Sequence, residues 1–66
     1  MELVTKLELI SECGKYDEKR EIFILPKDVK PCDIQAKRKE VAKKYGIKID
    51  FVYIASMEVQ QKYYNY

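Results

Sequence analysis

Apolar and polar residues alternate in three stretches of the chain, and a helical pattern separates the second stretch from the third. From Leu3 to Ser11, Leu3, Thr5, Leu7 and Leu9 share one face of an extended segment, while Val4, Lys6, Glu8 and Ile10 share the other. A period of two marks a half-buried strand. The polar run Cys13–Lys19 contains a glycine and reads as a hairpin loop. Arg20–Leu25 reads as the returning strand, stopped by Pro26, which has no N–H to give a ladder. Pro31 then suits the first turn of a helix, where its missing N–H costs nothing. Asp33 falls in that same turn, where the helix dipole favours a negative charge. Good helix formers continue to Tyr45, with Lys43 and Lys44 in the last turn and Gly46 as a left-handed cap. The pattern therefore predicts a helix over Pro31–Tyr45. Beyond it, Ile47, Ile49, Phe51, Tyr53 and Ala55 alternate again and predict a third strand, reached by a right-handed crossover through the helix.

These elements predict one small α+β domain spanning residues 1–66, in the order β-β-α-β. The expected architecture is a three-stranded mixed sheet with one helix packed on one face. The C-terminal tail reads as an extra strand through Met57, Val59 and Gln61, or as a short helix capped by Ser56. On the helix, Ile34, Val41 and Tyr45 form a thin apolar stripe with Ala42 beside them. Arg38 falls inside that stripe. Its stem can cover the sheet edge while its head reaches water, or its guanidinium can face an anion or a partner carboxylate. On the sheet face that one helix cannot reach, the alternation places Val4, Ile10, Ile22, Ile24, Val52 and Ile54. An uncovered apolar face of this kind marks an interface, so a homodimer is expected, with the Tyr-rich tail as the other candidate cover.

Composition narrows the chemistry. The chain has 66 residues, 47% hydrophobic and 36% charged, which is the balance of a globular domain with a marginal core. It has no His and only two Gly, so His-dependent catalysis and glycine-rich phosphate loops are excluded. Cys13 and Cys32 are too few for a disulfide framework. Cys32 lies near Lys27 and Lys30, a setting that lowers a thiol pKa, but no histidine stands by to serve as its base. Asp17, Glu18 and Glu21 read as a solvated hairpin loop rather than as paired acids in a cleft. The expectation is a non-enzymatic protein with no metal and no cofactor. The N-terminus lacks the basic and then apolar run of a signal peptide, and no stretch is long and apolar enough to span a bilayer. A cytoplasmic protein without a membrane partner is expected.

The net charge of +2 conceals an asymmetry. From Lys30 to Lys48, seven basic residues face only Asp33 and Glu40, a net of +5, so the rest of the chain is acidic. Lys37, Arg38, Lys39, Lys43, Lys44 and Lys48 together make an electrostatic footprint for an anionic partner, with nucleic acid favoured. Tyr63, Tyr64 and Tyr66 could stack on unpaired bases or cover an interface. The alternative expectation is a protein–protein module, an inhibitor or accessory subunit of viral or mobile-element type. It would act through the apolar sheet face and the acidic hairpin; an acidic protein is the other anionic partner that the basic helix could meet.

Overall fold

The alternation that begins at Leu3 extends further than the loop residues suggest. In the computed structural model, which describes residues 2–61, strand β1 runs Leu3–Gly14 and β2 runs Asp17–Pro26. They pair antiparallel, with Leu7 opposite Phe23 and Thr5 opposite Leu25. Only Lys15 and Tyr16 remain between the strands, so Cys13, Gly14 and Asp17–Lys19 belong to the ladder rather than to the expected loop. A register shift between Glu12 and Gly14 accommodates the tight connection.

Helix α1 spans Pro31–Tyr45, the predicted bounds. Its start is fixed by Pro31 at the first helical position and by the Asp33 carboxylate, which accepts the Lys30 backbone N–H at 3.2 Å. Its end is a left-handed Gly46 at φ 66°. There the Gly46 N–H donates to the Lys43 carbonyl at 3.3 Å and the Ile47 N–H to the Ala42 carbonyl at 3.0 Å. This paired closure satisfies carbonyls that the last turn would otherwise leave open.

After Gly46 the chain departs from the expected strand. Ile47 and Ile49 turn inward against the core, and Ile49–Phe51 form one 3-10 turn. Strand β3 follows at Val52–Gln61, so residues 56–61 of the tail take the strand alternative. The sheet order is β2-β1-β3. The expected mixed pairing is replaced by an antiparallel one: β2 and β3 run the same way, but β1 lies between them and opposes both. The result is an α+β domain with a three-stranded sheet and one helix packed on it.

The core lies between α1 and the inward rows of the sheet. Leu7, Leu9, Leu25, Val41, Ala42 and Val52 form it, with Phe23, Ile34, Tyr45 and Ile49 packed around. Full burial of a Leu or Val side chain is worth roughly 1.5–3 kcal/mol, and Leu7, Leu9, Val41 and Val52 are all enclosed. Thr5 is also buried; its hydroxyl donates to the Lys27 carbonyl at 3.4 Å and ties the β2–α1 loop to the sheet.

The 3-10 turn and one bulge reassign the faces of β3. Its ladder with β1 shifts between Glu8 and Leu9, leaving Ala55 unpaired between Ile54 and Ser56. Directly opposed residues in an antiparallel pair share a face. Val52 pairs with Ser11 and Ile54 with Leu9, so both lie on the helix side, not on the outer face where simple alternation places them. Past the bulge, Met57 and Val59 oppose Leu7 and Thr5 and also face the helix side. Tyr53, opposite Ile10, takes the outer face instead.

Candidate interaction surfaces

The six cations singled out in the sequence divide into two groups. Arg38 is committed within the fold. Its Nε donates to the Val52 carbonyl at 3.0 Å, one terminal nitrogen to the Ile49 carbonyl at 3.2 Å and the other to Gln35 Oε1 at 3.0 Å. It holds the 3-10 turn and the start of β3 against the helix, and its donors are not turned to solvent for an anion. Lys37 donates to Glu40 at 3.3 Å and lies 5.2 Å from the centre of the Phe23 ring. Lys44 donates to Glu21 Oε1 at 2.7 Å. Lys39, Lys43 and Lys48 have no side-chain partner among the described residues. Lys39 and Lys43 are four positions apart and therefore adjacent on the outer face of α1.

Glu21 accepts hydrogen bonds from two side chains of α1. Besides Lys44, the Tyr45 hydroxyl donates to the same carboxylate oxygen. These two hydrogen bonds hold the Glu21 carboxyl below the usual glutamate range. The same contact raises the Lys44 ammonium and the Tyr45 hydroxyl above their ordinary values. The cluster joins the C-terminal end of α1 to β2. In the sequence Glu21 falls in the predicted strand Arg20–Leu25 and is grouped with the acids around the hairpin loop; its position opposite Leu9, on the helix side, is what gives it this role.

The remaining hairpin acids are matched locally. Arg20 bridges Glu18 at 3.2 Å and Glu8 at 3.9 Å, and Lys19 pairs with Asp17 at 3.3 Å. Cys13 is half-buried and Cys32 exposed, and both are free thiols. Among the described residues, no group of three or more His, Cys, Asp or Glu side chains is placed to hold a metal. A shallow groove of about 600 Å³ lies at the paired ends of β1 and β2, lined by Leu3, Val4, Ile24 and Pro26. It holds no nucleophile beside a base.

The sheet carries the larger unexplained surface. Ile22 and Ile24 are 53% and 55% exposed on the outer face, near half-exposed Tyr53. Ile10 is half-buried there, and Val4, between Pro26 and Gln60, is buried. The predicted six-residue outer patch thus loses Val52 and Ile54 to the other face and gains Tyr53. On the helix side, α1 leaves a second row uncovered: Leu3, Ile54, Met57 and Val59. Alternation had suggested Met57 and Val59 as strand residues without assigning them to a surface. Tyr63, Tyr64 and Tyr66 lie outside the described residues. No helix among the described residues is long and apolar enough to cross a membrane. Comparison with family models, curated proteins and solved structures finds no match to this chain.

Proposed function

We propose that this chain is a small non-enzymatic interaction module that works through the apolar surface of its sheet and assembles with a second copy of itself. The observation that carries this reading is the number of large hydrophobic side chains left open on the strands. Leu3, Ile22, Ile24, Tyr53, Ile54, Met57 and Val59 are each about half exposed or more. They divide between the faces, Ile22, Ile24 and Tyr53 outside and Leu3, Ile54, Met57 and Val59 on the helix side. Single exposed residues need no explanation, but a run along one strand such as Ile54, Met57 and Val59 marks an interface.

The domain measures 41 × 27 × 16 Å. One broad face therefore offers on the order of 1,000 Å², more than the roughly 800 Å² each partner brings to a standard interface.

A second reading keeps one specific support. Lys39 and Lys43 form a basic pair on the outside of α1 with no side-chain partner among the described residues, Lys48 lies beyond its end, and such a patch suits a nucleic-acid backbone. Internal pairing of Lys37, Arg38 and Lys44 halves the cluster, which places this reading second. Light scattering on the purified chain, with a nucleic-acid shift assay at two salt concentrations, separates the two. The interaction reading expects assembly above 7.9 kDa that lysine at Ile22 and Ile24, or at Met57 and Val59, abolishes. A persistent monomer with a salt-sensitive shift that K39E/K43E removes would overturn it.

A further inference from the structure

The two outer strands of the sheet are protected very differently. Natural sheets guard their edges with charge and proline, because an open edge offers unpaired N–H and C=O groups to any other strand. Strand β2 is guarded in this way: it carries Asp17, Glu18, Lys19, Arg20 and Glu21 and ends in Pro26. Strand β3 is not. Over ten residues, Val-Tyr-Ile-Ala-Ser-Met-Glu-Val-Gln-Gln, its one charge is Glu58 and it has no proline. Its interruption at Ala55 lies toward the start, leaving Ser56–Gln61 in unbroken register with β1.

We infer that β3 is the dimer contact, pairing antiparallel with β3 of a second copy to make one continuous six-stranded sheet. The inference rests on the reading of the sheet as an interaction surface and names where that surface closes. Backbone groups along an open edge bond either to water or to another strand, and an identical strand presents an identical unguarded edge. A two-fold axis perpendicular to the sheet keeps both helices on the same side. Met57 or Val59, whichever lies on the two-fold axis, then meets its own copy across the junction, at the roughly 5 Å spacing where such pairs stabilise a sheet.

Charge selects the register. Like charges directly opposed are unfavourable, so Glu58 cannot face Glu58 of the second copy. The symmetric alternatives that keep side chains on matching faces set Met57 against Met57 or Val59 against Val59. Centred on Met57, residues 53–61 of the two edges overlap over about 30 Å, and with their flanking side chains they bury on the order of 1,000 Å², the lower limit of specific interfaces. The dimer is therefore reversible and concentration-dependent.

The test combines light scattering over a dilution series with site-directed cross-linking. Wild-type chain is expected to pass from dimer to monomer on dilution. M57K/V59K is expected to stay monomeric with an unchanged circular dichroism spectrum, since both side chains are half exposed and not needed by the core. In a C13S/C32S background, M57C or V59C is expected to form an interchain disulfide under mild oxidation, faster than E58C. An assembly that M57K/V59K leaves intact and I22K/I24K disrupts would overturn the β3 contact while leaving the interaction reading standing. A wild-type chain that is monomeric at every concentration would overturn both.

Discussion

Replacing Arg38 by methionine isolates the part of this fold that periodicity could not reveal. Methionine keeps the aliphatic stem and a comparable helix propensity, so the change removes the guanidinium and little else. Two of its hydrogen bonds end on backbone carbonyls, at 3.0 Å on Val52 and 3.2 Å on Ile49, in a half-buried seam between helix and sheet. Hydrogen bonds from a charged donor are worth roughly 1.5–3 kcal/mol each when buried, and partial exposure sets these at the lower end. The expected loss is about 2–3 kcal/mol. A chain of this size has a total stability of only about 3–10 kcal/mol, so the loss is a large fraction of it. At roughly 4–8 °C per kcal/mol for a domain of this length, R38M should melt about 8–24 °C below wild type by circular dichroism. Lysine at the same position can reach one carbonyl but not both, so R38K should fall between them. A midpoint for R38M within about 2 °C of wild type, well inside the shift expected from that scaling, would refute the bracing role and return Arg38 to the candidate anion-binding residues.

The Glu21 cluster makes a pH prediction. Because the folded state holds the Glu21 carboxyl below its ordinary value, its contribution is present above the usual glutamate range and is lost as pH falls through the folded value. E21Q should therefore cost about 1 kcal/mol near neutrality, and the gap to wild type in urea melts should narrow as the medium is acidified. At Gly46, where φ is 66° and an added Cβ would meet nothing within 4 Å, the cost of alanine is purely conformational. G46A should lower stability by about 1 kcal/mol and G46N by less, read as the order of their urea midpoints. Truncating an enclosed core side chain by L7A should cost about 2–5 kcal/mol, enough to leave much of the population unfolded in the same melts.

The elements themselves were legible because each rests on local chemistry. Pro31, Asp33 and Gly46 act within one helical turn of where they stand, so the bounds of α1 follow from neighbours alone. The inward row Thr5, Leu7 and Leu9 was legible for the same reason: β1 alternates regularly along that stretch and pairs with β2 without a shift, the extra residue of its other ladder being Ala55 of β3. The face of β3 was not, since it depends on Ala55 dropping out of a ladder whose other strand lies more than forty residues away. The 3-10 turn over Ile49–Phe51 shifts the phase before Val52, the bulge at Ala55 shifts it again before Met57, and no alternation count over 47–55 registers either. The role of Arg38 was half legible. Its place in the apolar stripe showed that it faces the sheet, whereas its carbonyl partners appear only once Ile49–Phe51 form a 3-10 turn instead of a strand. The pairing of the basic cluster was legible only in part: Lys37 and Glu40 stand three positions apart on α1, whereas Glu21 reaches Lys44 only when helix and sheet are packed together.

Amide hydrogen exchange at a dilute and a concentrated condition tests the central claim most directly, because it reports on the backbone of each element separately. The account predicts slower exchange at high concentration across Ser56–Gln61, with α1 and the β2 edge unchanged. Slowing centred on Lys39–Lys43, or no change in any element with concentration, would contradict it.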